Sequence, residues 1–407
     1  MATRTILDTG GDWSSALTWF EGAVPTVADS VVATATSGNV TIDTTTCTCL
    51  TLILTDYVGT LTFTAGQILT VSTTVTFVAG MTIAGTGTLK LLNNATITSA
   101  GKTFTGSIAL DAGTWTLADD WTVVNLISQV STNTINGNNL YITGDLTVDK
   151  FLQGTTILNM IGTGTIAVTG TGAIYTNLVI NTAGTITMGA LFFWGSTGKT
   201  LTYTAGTVDT TTNSCVFKIT NDCSINSGAI TWYDISFLLT AGRTVVLQSD
   251  LLCSHDLTIT TTADILTISG AYNISCANLY VDAGTTLKIV SGQTLTITNS
   301  IAMRSSFNYG DITIQSVTAS SSFNLTYNGI QANCAISGVI FTDVVANVNL
   351  FNWGGGALTR TTKIYNVTGA DYPEVNDVRD TTVYAGGALT GTYVGGGVSS
   401  DVFGIIG

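Results

Sequence analysis

Residues 235–297 read ISFLLTAGRTVVLQSDLLCSHDLTITTTADILTISGAYNISCANLYVDAGTTLKIVSGQTLTI. Apolar residues in this stretch come in pairs spaced two apart: Ile235/Phe237, Val245/Leu247 and Leu251/Cys253. The set recurs as Leu257/Ile259, Leu266/Ile268 and Ile274/Cys276, then as Leu279/Val281, Leu287/Ile289 and Leu295/Ile297. A period of two marks one buried face of a strand. The first recurrence comes after 22, 21 and 23 residues, the second after 22, 21 and 21. Three short strands repeating at that interval make a coil with one strand on each of three walls. Each inward pair then stacks on its counterpart one rung away, at about 4.8 Å. The expected fold is all-β, a right-handed parallel β-helix (solenoid) over residues 46–340. The hand is inferred from that of parallel crossovers.

The pattern extends outward from this stretch. Leu61/Phe63, Leu69/Val71 and Val75/Phe77 carry the same alternation. Ala-Gly pairs recur at 79–80 and 100–101, at 183–184 and 205–206, and at 241–242 and 283–284. They read as corners, where glycine supplies a positive φ. The register is less regular between 120 and 230. The chain has two prolines, Pro25 and Pro373. Their absence in between fits a coil, because every rung is a central strand and proline cannot donate to its ladder. Residues 1–45 then form an N-terminal cap and 341–407 a small Gly-rich, β-rich C-terminal region for assembly or attachment.

Composition narrows the classes. The 407 residues carry a formal net charge of -13, with 9% charged and 45% hydrophobic. A globular enzyme usually carries about 25% charged residues. Mean hydropathy is +0.43, yet no apolar run approaches the ~18 residues of a spanning helix. Threonine separates the apolar residues, so the hydropathy reflects alternation, and no membrane insertion is expected. Strong acidity argues against a nucleic-acid partner. The N-terminal MATRTILD contains no apolar h-region, so no secretory signal peptide is expected.

Seven cysteines are too few and too odd for a disulfide scaffold. Cys253 and Cys276 occupy equivalent inward positions and read as a reduced, buried ladder, since free Cys packs as a small hydrophobe. Cys47-Thr48-Cys49 resembles a metal pair only in outline. With one histidine in the chain and no second cysteine pair nearby, no zinc site is expected.

At the N-terminus, Trp13 and Trp19 are candidates to plug the open apolar end of the first rung. Trp13, Trp19, Gly22, Val24-Pro25 and Asp29 resemble the start of many β-helical bacterial surface proteins and phage virion proteins. Near the C-terminus, Trp353-Gly354-Gly355-Gly356 reads as a hinge or tight packing point. Asp377-Val378-Arg379, Tyr384-Ala385-Gly386-Gly387 and Thr390-Gly391-Thr392 resemble a short element near the ends of tailed-phage virion proteins. Here Thr381 stands where the common version has glycine. The element carries no chemistry of its own; the resemblance implies a virion context.

Candidate chemistry concentrates at one corner. Asp234, Asp256 and Asn278 each precede an inward pair, 22 residues apart. Asp250 and Asn273 form a similar column. Such residues cap turns through side-chain to backbone bonds. Stacked carboxylates at Asp234 and Asp256 would also have the separation of a retaining glycosidase, or could hold a metal. His255 adjoins them. The two glutamates, Glu21 and Glu374, lie off the shaft. The outward residues are Ser236, Thr258 and Tyr280; Val246, Thr267 and Lys288; and Leu252, Ser275 and Thr296. No wall is a threonine array over these rungs, so they offer no ice-binding plane. The abundance of Thr reflects its β propensity. Outward Val246 and Leu252 suggest a covered face.

The expectation is a phage virion structural protein, a capsid decoration or tail fibre/spike. It would be a homotrimer contacting other virion proteins and host surface glycan, with no catalytic, cofactor or metal residues. A polysaccharide-cleaving tailspike and a bacterial surface adhesin are the alternatives.

Overall fold

The computed structural model describes residues 1–346 apart from 240–241, 262–263, 305–311, 331–332 and 338. Beyond 346 it describes the backbone of three strands, Lys363–Thr368, Val383–Tyr384 and Leu389–Thr390. The hinge expected at 353–356 and the rest of the 376–393 element lie outside the described residues. The chain divides into two compact units, Met1–Phe193 with Thr202–Asn213, and Trp194–Leu201 with Ser214–Gly407. Each is a parallel β-solenoid.

In the second unit, strand Asp234–Leu239 pairs in parallel with Asp256–Thr261, and that strand with Ile274–Val281. Ile235 therefore lies beside Leu257, and Leu257 beside Leu279. Every residue of the three inward sets across 235–297 is buried. Parallel pairing continues past the expected end at 340, from Val339–Ala346 to Lys363–Thr368. Val383–Tyr384 and Leu389–Thr390 pair antiparallel.

One expected register is corrected. On the second wall Val245 pairs with Ile268, and Arg243 with Leu266, so the step there is 23 (268 − 245), not 21. A slip of one residue would turn apolar side chains outward, but a slip of two keeps the same face inside. Alternation alone therefore leaves this register open. Gly270 settles it locally: it has φ +100, and a Cβ there would meet the Leu247 carbonyl oxygen at 2.0 Å. Leu247 thus lies over glycine, not over Ile268.

In the first unit the strands Thr3–Thr5, Ser30–Val32 and Cys47–Ile53 pair in parallel, as do Gly11–Asp12, Val40–Ile42 and Thr60–Phe63. Residues 1–45 thus already take part in the ladder. Trp13 and Trp19 are both buried and pack edge-to-face at 4.9 Å, with Trp19 Nε1 donating to the Trp13 carbonyl at 3.0 Å. Gly22 has φ +66, which only glycine adopts freely. Asp29 accepts from the backbone N–H of Ala2 and Thr26, from Thr26 Oγ1 and from Arg4 Nε. Burial pushes its carboxyl up, but these bonds outweigh it and hold the pKa at about 2. Trp13, Trp19, Gly22 and Asp29, four of the residues that carry the N-terminal resemblance, thus each have a structural role.

Farther along this unit the coil shortens. The step is 20 from Leu126 to Leu146 (146 − 126) and 18 from Leu140 to Leu158 (158 − 140). That shortening hides the rungs after 120 from a search at 21–23. Two of the expected Ala-Gly corners also differ. Gly184 lies within strand Ala173–Met188 and Gly206 within Lys199–Asp209, whereas 79–80, 100–101 and 283–284 are turns. At Gly184 the constraint is space, since a Cβ would meet Thr163 Oγ1 at 2.0 Å.

Large rings fill the interiors. Phe104 packs against Phe63 at 4.8 Å and Trp121 at 6.3 Å in the first unit. In the second, Phe217 lies 4.2 Å from Trp232 and 6.3 Å from Trp194. Such pairs add to the burial of their own area.

Two outcomes are expected. Leu266→Ala or Ile289→Ala should cost about 2–5 kcal/mol in urea unfolding, because each leaves a cavity. Thr267→Ala, on the outward side of the same strand, should cost under about 1 kcal/mol; equal losses would show that the faces are misassigned. The Asp29 pKa is depressed from 3.8 to about 2. Its stabilisation is therefore complete above the ordinary carboxyl value and is lost as pH falls through that interval. Asp29→Asn should flatten the acid limb of a pH–stability curve between those values.

Candidate functional site: the Asp234–His255–Asp256 corner

Corners of both solenoids use Asp and Asn in one recurring way. The side-chain oxygen accepts a backbone N–H from the next rung. In the first unit Asn125 Oδ1 accepts from Asp145 N, and Asp145 Oδ1 from Thr165 N, both at 2.8 Å. In the second, Asp250 Oδ1 accepts from Asn273 N and Asn273 Oδ1 from Thr294 N, both at 2.9 Å. The column at Asp250 and Asn273 is thus a stitch between rungs, more than a cap on its own turn. These bonds lie at the exposed surface, where the ladder is interrupted, and tie each corner to the rung beside it.

The Asp234 column begins the same way and then departs. Asp234 Oδ1 accepts from Asp256 N at 2.9 Å. Asp256 Oδ1 instead accepts from the Asn278 side-chain amide at 2.8 Å. Asn278 Oδ1 accepts from Asn299 Nδ2 at 2.8 Å and Ser300 Oγ at 2.7 Å. The column becomes a chain of side-chain hydrogen bonds.

His255 joins this chain. Its Nδ1 lies 2.8 Å from Asp234 Oδ1 and 3.4 Å from Asp256 Oδ1. The ring stacks on Tyr233, with centroids 5.0 Å apart and planes 25° apart. Its backbone is pinned on both sides: His255 N donates to the Tyr233 carbonyl, and Asn278 N donates to the His255 carbonyl. The side chain is nevertheless 47% exposed. The spacing in the sequence places Asp234, Asp256, Asn278 and His255 together, and the structure does the same. Tyr233 is missed by spacing, because its only signal is its position just before Asp234.

The hydrogen bond to Asp234 is the main cause raising the His255 pKa above its ordinary value. Partial desolvation opposes the rise, and the charges of Asp256 and Asp234 add to it. Chemically the corner can hold a proton or a cation between one imidazole and two carboxylates. The donor atoms of Asp234, His255 and Asp256 lie within 4.8 Å of one another.

Six of the cysteines, all those whose side chains are described, stay inside. Cys253 and Cys276 are buried and unbridged, as are Cys47 and Cys49. Burial pushes the Cys253 thiol up to about 12 and the Cys276 thiol up as well, so neither is a nucleophile near neutral pH. Threonine does form a column in the first unit: Thr51, Thr74, Thr96 and Thr116 lie in register on successive rungs. The last three line a shallow groove with Thr73, Asn94 and Thr114. Among the described residues no helix is long and apolar enough to cross a membrane.

Compared with protein-family models, curated proteins and solved structures, the chain matches none.

The pKa direction has a sign that can be checked. A raised folded-state value means the charged imidazole stabilises the fold below its ordinary value, and that contribution is lost as pH rises through the folded value. NMR titration of the single histidine should give a pKa above 6.5. Asp234→Asn should bring it down; an unchanged midpoint would remove Asp234 as the cause.

Proposed function

We propose that this chain is a structural protein of a tailed-phage virion, displayed on the particle as a capsid decoration or a tail fibre or spike. It acts by assembly and surface binding and needs no catalysis. The observation that carries this reading is how the polar side chains are used. Corner Asp and Asn residues bond the backbone of the neighbouring rung, and the interiors are filled by apolar and aromatic side chains. Such a chain is built for rigidity and display. The resemblances at 13–29 and 376–393 support the virion context. A homotrimer fits the scarcity of solubilising charge, 9% of residues, and the outward placement of Val246, 36% exposed. Closed threefold symmetry would bury the same patch on each subunit.

One observation favours a second reading, a tailspike that cleaves host polysaccharide. Asp234 and Asp256 offer carboxylate oxygens within 4.8 Å of each other beside His255, near the ~5 Å separation of a retaining pair. On that reading purified protein depolymerises host capsule or lipopolysaccharide, and Asp234→Asn with Asp256→Asn abolishes it. On the structural reading the double variant assembles as before and no depolymerisation occurs.

The main reading is tested on particles. Mass spectrometry of gradient-purified virions should find the chain at a copy number divisible by three, and light scattering of the isolated protein should give a trimer mass. Absence from the particles would overturn the virion assignment, and a monomer both in solution and on the particle would overturn the trimer.

A further inference from the structure

We infer that Asp234, His255 and Asp256 form a binding site for one divalent transition-metal ion of the zinc or nickel type. The inference rests on the geometry of the corner and not on the virion reading. Three potential ligands come from two successive rungs, with His255 Nδ1 facing Asp234 Oδ1 at 2.8 Å and Asp256 Oδ1 at 3.4 Å. A cation about 2.1 Å from each ligand would space neighbouring ligands by about 3.0 Å at right angles and about 3.4 Å at the tetrahedral angle. The two nitrogen–oxygen edges already have lengths close to those. The carboxylate–carboxylate edge is at most 4.8 Å, and the broad terminal torsion of aspartate lets it close.

The donor set chooses the metal. Imidazole nitrogen with carboxylate oxygen suits zinc, nickel, copper and iron, whereas magnesium and calcium prefer oxygen alone. The supporting groups are also in place. Asn278 Nδ2 donates to Asp256 Oδ1 at 2.8 Å, and Tyr233 stacks on the imidazole. Metal-binding carboxylates and imidazoles are oriented by such neighbours. His255 is 47% exposed at its side chain, so an ion enters from solvent and keeps water in its remaining positions. The ion takes the place of the proton that His255 Nδ1 shares with Asp234. The ring's remaining proton then sits on Nε2, and a net proton leaves to solvent only from the doubly protonated ring.

The site is tested by isothermal titration of the full chain with zinc chloride and, separately, nickel chloride at pH 7.5. Magnesium chloride serves as the comparison. The expected result is one equivalent bound with micromolar Kd for zinc and nickel and no comparable magnesium binding. His255→Ala should weaken it at least about tenfold, and Asn278→Ala should weaken it less. Asp234→Asn retains an oxygen to accept from Asp256 N, so the corner stays closed while a charged ligand is lost. Circular dichroism on each variant separates lost binding from lost fold. A zinc-induced shift of the histidine ring signals in NMR reports the same site independently of affinity. Absence of micromolar binding, or binding undiminished by His255→Ala in a folded protein, overturns the inference.

Discussion

Stacking of inward apolar pairs, rung upon rung, is the constraint on which the rest depends. Ile235, Leu257 and Leu279 form one such column, and each is buried. No rung can bury these side chains alone. Each needs neighbours above and below, so the fold is a sum of nearest-neighbour interfaces. The backbone obeys the same rule, since the amides and carbonyls of one strand bond to the adjacent rungs. Low charge, near absence of proline and high threonine content all stem from that single demand. Outward positions must favour extended backbone without carrying much of the packing.

The corners are the weak points of such a coil, because the ladder breaks where the chain turns. Asp and Asn side chains repair it, as in Asn125–Asp145–Thr165 and Asp250–Asn273–Thr294. At the Asp234 column the repair is incomplete as backbone chemistry and is continued by side chains. There an imidazole meets two carboxylates. The site therefore grows out of the same device that holds the corners, with His255 bonded to the Asp234 carboxylate that also accepts the Asp256 amide.

Much of this is legible in the chain. The inward pairs of 235–297, the burial of Cys253 and Cys276 and the grouping of Asp234, Asp256 and Asn278 are all set by spacing. The features that spacing leaves open have identifiable physical reasons. That Val245 pairs with Ile268 and not Leu266 is hidden from spacing because a two-residue slip leaves the buried face unchanged. The rungs near Leu140–Leu158 are shorter than the period sought. The segments Thr3–Thr5 and Gly11–Asp12 read as part of a cap because Trp13, Trp19 and Pro25 interrupt the alternation around them. Yet Thr3–Thr5 pairs in parallel with Ser30–Val32, and Gly11–Asp12 with Val40–Ile42. The departure of Asp256 from backbone stitching depends on side-chain rotation, on which sequence is silent.

The stacked register is tested most directly by methyl–methyl nuclear Overhauser contacts in protein labelled at isoleucine, leucine and valine. The account predicts that Leu257 contacts both Ile235 and Leu279, and that Val245 contacts Ile268. Contacts from Leu257 to only one of the two flanking residues, or an antiparallel order of contacts across 235–297, would contradict it.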